Sequence, residues 1–197
     1  MNYEKKLIEM INNNNGLILT SQVDEAGIPR EYLSRLLKKR FIERIARGVY
    51  LTRNALDDEM YRIQMRFSKG VFSHGTALFL HNLTDRTPLN YTMTFPNNYH
   101  TQSLDEEGIT AFYVDKQHHE IGKIEVLSPF GRTIWTYDLE RTMCDILRKR
   151  NQMDSYLVRE ACKEYVKRSD KSLNNLMSYA AIFKLENIVR QNIEVFL

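Results

Sequence analysis

Eight basic side chains fall within the 25 residues from Pro29 to Arg53: Arg30, Arg35, Lys38, Lys39, Arg40, Arg44, Arg47 and Arg53, against only Glu31 and Glu43. A local net charge of +6 on a chain whose total is +3 is the electrostatic footprint of a surface that holds a polyanion. A solvated helix face is the competing account of any charge run, and spacing separates the two. Between Pro29 and Arg40, Leu33, Leu36 and Leu37 make a narrow apolar stripe at i, i+3, i+4. The opposite face carries Glu31, Ser34, Arg35 and Lys38, with Arg30, Tyr32 and Lys39 on its flanks. A guanidinium can bond guanine at two points in the major groove, worth about 1–3 kcal/mol of discrimination. Arg30, Ser34 and Arg35 are therefore expected to face base edges. Lys38, Lys39 and Arg40, towards the helix end, are expected on phosphates, which fix register without reading sequence. Arg44 and Arg47 lie beyond the helix, placed for the minor groove or the flanking backbone. Tyr32 either stacks on sugar or shields Leu36.

Other residue types tempt a catalytic reading and do not assemble a site. His74 and His81 are seven apart on one predicted helix face, a pair that needs a third ligand to hold a metal; a capped helix with partly buried histidines is the simpler account. His118-His119-Glu120 reads as strand or turn, where neighbours point to opposite faces and chelate poorly. Arg141 and Asp145, four apart on a helix, read as an ion pair. No phosphate loop, HExxH, CxxC or GxSxG occurs. No catalytic residue, metal ligand or cofactor is expected, and the chain does not read as an enzyme.

The elements that position the basic block follow from local patterns. Tyr3, Leu7, Ile8 and Ile11 predict a helix over 3–13, stopped by Asn12 to Gly16. Leu17-Ile18-Leu19 is a short apolar bridge, and Thr20 or Ser21 supplies a cap for a helix over 21–26 ending at Gly27. Pro29 suits the first turn of the next helix, 29–40. Phe41 to Leu51 reads as two strands around a turn at Arg47-Gly48. Helix, turn, basic helix and hairpin together predict a winged helix-turn-helix.

Residues 54–197 carry 18 basic and 19 acidic side chains, so the positive excess is confined to 1–53. The expected order is a linking helix over 54–68, a strand at 70–72, and a helix capped by Ser73 and running to Leu83. Strands follow at 91–96, 109–114, 121–127 and 133–136. A helix capped by Asp138 covers 139–149, and three more lie near 153–167, 172–182 and 184–196. The predicted fold class is α+β: a winged helix-turn-helix over 1–53, then a mixed α/β domain over 54–197 ending in several helices. At 197 residues, 43% hydrophobic and 27% charged, the chain can bury one large core or two small ones and is not a disordered tail. No apolar run approaches the about 20 residues of a membrane span. The start, Met1-Asn2-Tyr3-Glu4, shows no export signal, so the expectation is a cytoplasmic protein whose Cys144 and Cys162 are buried thiols.

Three stretches, in order, resemble the AbiEi family, the antitoxins of abortive-infection type IV toxin–antitoxin systems. The wing end Arg47-Gly48-Val49-Tyr50-Leu51 is similar to that family's Arg/Lys-Gly-hydrophobic-Tyr pattern. Ser73-His74-Gly75-Thr76-Ala77-Leu78-Phe79-Leu80-His81-Asn82-Leu83-Thr84-Asp85 resembles its SHxSALxxHxLTD stretch, and Asp138 to Leu147 its xxERTxxDLL stretch. Gly75-Thr76 departs from the commoner pair there, and no Pro follows the wing. The resemblance implies an antitoxin that represses its own operon through inverted repeats in the promoter. It also implies a C-terminal domain that counteracts a nucleotidyltransferase toxin without needing a stable complex. Ser73, His74, Arg141, Thr142 and Asp145 become antitoxin-motif candidates, although capping and an ion pair account for them structurally. The partners so implied are double-stranded promoter DNA and the toxin, with no membrane; a monomer in solution that binds DNA cooperatively is the expected state. Two other readings stay open on the residues alone. One is a ligand-responsive winged-helix regulator with a C-terminal sensor; the other is a metal- or nucleotide-dependent enzyme with a winged-helix accessory.

Overall fold

A computed structural model describes residues 2–99 and 103–197, and the chain divides into two units, Met1–Arg66 and Phe67–Leu197. The first unit runs α1 (Tyr3–Asn13), β1 (Leu17–Leu19), α2 (Thr20–Glu25), α3 (Glu31–Lys38), β2 (Ile42–Ala46), β3 (Val49–Thr52) and α4 (Glu59–Arg66). Its strands form an antiparallel sheet in the order β1-β3-β2, with Leu17 opposite Leu51 and Ile42 opposite Thr52. The apolar bridge at 17–19 is thus a third strand, and its alternation feeds two cores. Ile18 joins Leu7, Ile11, Val23, Ile28, Leu33, Leu36 and Ile42 under the helices. Leu17 and Leu19 join Val49 and Leu51 on the other face, where Tyr61 and Met65 pack.

That second face moves the predicted boundary at 53. The helix expected over 54–68 is shorter, and it is no linker: its Tyr61 hydroxyl donates to Asn14 Oδ1 at 2.8 Å, so α4 closes the first unit. Two further corrections concern α2 and α3. Thr20 does not cap α2; Gln22 Oε1 accepts the Leu19 N–H at 3.0 Å, while the Thr20 hydroxyl donates to the Gly48 carbonyl in the wing turn. Gly48 needs its glycine there, with φ of 76°. Helix α3 is shorter at both ends than 29–40. Pro29 lies before it, its carbonyl accepting the Tyr32 N–H, and Arg40 leaves it in the left-handed region at φ 55°.

The second unit holds β4 (Val71–Phe72), α5 (His74–Leu80), β5 (Tyr91–Pro96), α6 (Ser103–Glu106), β6 (Ile109–Val114), α7 (Lys116–Glu120), β7 (Lys123–Leu127), β8 (Thr133–Tyr137) and α8 (Leu139–Arg148). A 3-10 turn at Arg150–Gln152 then leads to α9 (Ser155–Lys167), α10 (Leu173–Phe183) and α11 (Glu186–Ile193). The sheet order is β6-β5-β4-β8-β7, with β5/β6 and β4/β8 parallel and the other pairs antiparallel. Helix α8 is the axis of the core, with every residue from Leu139 to Leu147 buried. Met143, Cys144, Ile146 and Leu147 pack with Val158, Cys162, Leu176, Val189 and Ile193 of the last three helices. Both cysteines are free, and burial pushes their thiols up to about 12. Helices α6 and α7 fall where the sequence reading put turns, and His118-His119-Glu120 is therefore helical. Asp115 ends β6's reach by capping α7, accepting the His118 N–H at 2.9 Å.

Candidate nucleic-acid interface and a buried motif cluster

Helix α3 buries Leu33 and Leu36 and leaves Glu31, Ser34, Arg35 and Lys38 exposed. Among the described residues, Ser34, Lys38, Arg40 and Arg47 are exposed and make no ion pair or side-chain hydrogen bond. The other cations of the predicted set are engaged. Arg30 sits at the N-cap position and grips Asp24 of α2 with both ends of its fork, Nε to Oδ1 at 2.8 Å and Nη2 to Oδ2 at 2.6 Å. That bond holds the Asp24 carboxyl below and the Arg30 guanidinium above their ordinary values. Arg35 donates to Glu31 at 3.1 Å and lies 4.6 Å over the Tyr32 ring. Lys39 pairs with Glu4 of α1, Arg44 Nε donates to the Ala46 carbonyl at 3.3 Å, and Arg53 pairs with Glu43 at 2.7 Å. The surface is thus a set of free cations beside a set that must give up a partner for any new acceptor, a carbonyl for Arg44 and a carboxylate for the rest.

In the second unit, the two motif stretches meet where α5 packs on α8. Arg141 is completely buried; its Nε donates to Asp145 Oδ2 at 3.0 Å and its Nη1 to the carbonyls of His118 and Ile121 at 2.6 and 2.9 Å. Its guanidinium lies between the rings of Tyr137 and Phe183, at 4.2 and 4.3 Å. Gly122 lets the chain pass this closely, since a Cβ there would stand 2.7 Å from Arg141 Cβ. The other Asp145 oxygen accepts from Arg148 Nη2 at 2.8 Å, so one buried carboxylate answers two guanidiniums. The Thr142 hydroxyl donates to the Tyr137 carbonyl at 3.3 Å.

Ser73 stands at the N-cap of α5, yet its hydroxyl does not cap. Thr92 Oγ1 accepts the Thr76 N–H at 3.0 Å instead, because β5 runs alongside. The Ser73 oxygen accepts from Thr94 Oγ1 at 2.9 Å and lies 3.0 Å from His74 Nδ1. These contacts are met when the Ser73 hydroxyl donates to Nδ1, which leaves the ring proton on Nε2. That atom is buried with no acceptor among the described residues, a cost of about 1–3 kcal/mol. His74 also has φ of 46°, stacks on Phe112 at 3.7 Å, and is held neutral by burial, its pKa lowered to about 4. His81 bonds through Nε2 to the Tyr137 carbonyl at 2.6 Å, so the two histidines serve different partners. Sequence reasoning missed Arg148, Thr94 and Phe112. Arg148 is i+3 from Asp145 and was legible by helical spacing; Thr94 and Phe112 arrive from distant strands with no local signal.

Residues 6–52 match a family model described as a transcriptional regulator, AbiEi antitoxin. No curated protein matches the chain. In fold it is similar to the crystal structure of the RV2827C protein from Mycobacterium tuberculosis, with a TM-score of 0.59 at 10% identity, over 98% of this chain and 81% of that one. The α+β architecture is therefore a known one, and no helix among the described residues is long and apolar enough to cross a membrane. Through the helix-turn-helix and wing of its first unit, this chain is similar to the AbiEi antitoxin transcriptional regulators, a likeness that spans residues 6–52.

Proposed function

We propose that the protein is the antitoxin of a type IV, abortive-infection system: it represses its own operon at inverted repeats in the promoter and counteracts a nucleotidyltransferase toxin. The observation that carries the DNA half is the pairing of a buried Leu33/Leu36 stripe with an exposed face that keeps Ser34 and Lys38 free, beside Arg40 and Arg47. Arg35 and Arg30 read bases only after leaving Glu31 and Asp24; Lys38, Lys39 and Arg40 anchor phosphates; Arg44 and Arg47 follow the backbone or minor groove. Two copies on an inverted repeat place their α3 helices about 34–36 Å apart, or a multiple of that. The protein acts in the cytoplasm by binding, without catalysis, as a monomer that meets its twin on the operator. The antitoxin half rests on the family and on Ser73, His74, Arg141, Thr142 and Asp145 converging at one place in the second unit.

The test is a titration on DNA from upstream of the gene beside a scrambled duplex, at physiological and doubled salt, followed by co-expression with the neighbouring toxin gene. Preference for the upstream DNA and rescue of growth support the reading. Equal, steeply salt-dependent binding to both duplexes reduces the basic block to a polyanion face. A neighbouring ligand-biosynthesis operon with no rescue points to a sensor domain instead.

A further inference from the structure

Beside the buried cluster, a cleft of about 370 Å³ lies between the C-terminal end of α8 and β6, the strand at one edge of the sheet. Arg148 and Lys149 give the cleft two cations, Asn151 and Gln152 two exposed amides, and Phe112, on the α8 side of β6, an aromatic wall. No carboxylate lines it among the described residues. The helix end accounts for part of the charge, since cations are favoured there and Arg150 donates to the Leu147 carbonyl at 3.1 Å. It does not account for the rest. Lys149 has no carboxylate partner among the described residues; its nearest contact of note is the Phe112 ring at 5.8 Å. Arg148 gives Nη2 to Asp145, but its Nε is buried without an acceptor, as is Arg141 Nη2 behind it. Among the described residues, Asp145 is the carboxylate paired with these guanidiniums, and it is shared by both. Donors exceed acceptors here, and positive charge exceeds negative.

We infer that this cleft binds a compact phosphate-bearing anion, with the phosphate on Arg148 and Lys149. A phosphate supplies several strong acceptor oxygens and the missing negative charge in one small group. The volume sits at the small end of the range of ligand pockets, about 300–1,000 Å³, which admits a mononucleotide as readily as free phosphate. Phe112 offers an apolar side against which a base would lie, and the amides of Asn151 and Gln152 offer both donors and acceptors to its edge. The inference concerns the second unit and does not depend on the DNA reading of the first.

Calorimetric titration of the full chain with inorganic phosphate, adenosine 5′-monophosphate and adenosine tests it. Either phosphate compound is expected to bind with a dissociation constant of about 1 mM or tighter, and adenosine far more weakly. Tighter binding of the monophosphate than of phosphate identifies a nucleotide; equal binding identifies free phosphate. Lys149→Gln and Asn151→Ala are surface changes that leave the Asp145 pairs in place, and Lys149→Gln should weaken phosphate binding about tenfold. Lys38→Gln, on α3, should leave it unchanged. No binding, adenosine binding as well as the monophosphate, or binding lost in Lys38→Gln but kept in Lys149→Gln and Asn151→Ala, each overturns the assignment.

Discussion

Replacing Arg35 with alanine separates base reading from phosphate anchoring. In the free protein Arg35 donates to Glu31 at 3.1 Å with side chains 53% and 60% exposed, and stacks on Tyr32 at 4.6 Å. An exposed pair at this spacing is worth about 0.3–0.5 kcal/mol. A two-point bond to guanine is worth about 1–3 kcal/mol. With the stack on Tyr32 kept, exchanging the carboxylate for the base leaves about 0.5–2.5 kcal/mol in favour of the operator. At about 1.4 kcal/mol per decade this is roughly a 2- to 60-fold loss on the operator in Arg35→Ala. Random DNA should lose much less. Fluorescence anisotropy on labelled upstream and scrambled duplexes at two salt concentrations measures both. Lys38→Ala, which removes an unpaired cation, should weaken the two duplexes alike and flatten the salt slope by about one. Equal losses on both duplexes for Arg35→Ala would refute base reading and make Arg35 a backbone contact. No loss on either would remove α3 from the interface.

Four further outcomes are expected. Asp24→Asn frees Arg30 and should raise operator affinity several-fold at low salt; a fall would show that the Arg30–Asp24 fork holds α2 against α3 rather than restraining a base contact. The wing pair Arg44→Ala, Arg47→Ala should weaken binding to both duplexes, with an extra loss on A·T-rich flanks detectable in the same anisotropy assay. Asp145→Ala leaves two guanidiniums, one wholly buried, without their carboxylate, and should cost about 3–5 kcal/mol in urea unfolding at unchanged slope; a loss below about 1 kcal/mol would make the pairs dispensable. His74 has a folded pKa of about 4 against about 6.5 in the unfolded chain, so the unfolded state takes up the proton first and stability drops as pH falls from about 6.5 to about 4, by up to about 3 kcal/mol; the difference between wild type and His74→Asn, whose shorter side chain tolerates positive φ, isolates that slope.

The order of helices and hairpin in the first unit was legible because its determinants are local, while their ends and the unit's boundary were not. The Leu33, Leu36 and Leu37 stripe, the Gly27 stop and the Arg47-Gly48 turn each act within a few positions. What was missed there needed a partner from elsewhere. Leu17-Ile18-Leu19 is a strand only because β3 pairs with it, and α4 belongs to the first unit only because Leu17, Leu19, Val49 and Leu51 offer it an apolar face. Helical ends shifted for the same reason: Thr20 prefers the Gly48 carbonyl to its own helix, and Thr92 takes over the capping of α5 from Ser73. In the second unit the ion pair of Arg141 and Asp145 follows from i, i+4 spacing, but its complete burial does not. Nor does the sharing of Asp145 with Arg148, or the seating of His74 on Phe112, since both depend on which elements pack together.

If the α3 surface reads DNA as proposed, the carboxylates among its cations bear on specificity more than on stability. On any duplex, Lys38, Arg40 and Arg47 can meet phosphates at once, because none has an acidic partner to leave among the described residues. Arg30, Arg35 and Lys39 must first give up Asp24, Glu31 and Glu4. Phosphate contacts on random DNA return little beyond what those exposed pairs already provide, so the arginines gain little by moving. A guanine edge in register returns two directed bonds, and the exchange then runs towards DNA. The acidic residues also carry charge of the same sign as the backbone, so an arginine that leaves without finding a base brings a carboxylate close to phosphate. On the proposed DNA reading, non-specific binding is carried by the free cations and falls steeply with salt, while the paired arginines weight the balance towards the operator. Removing Glu31 should therefore strengthen binding to scrambled DNA proportionally more than binding to the operator, narrowing the ratio between them even as both affinities rise.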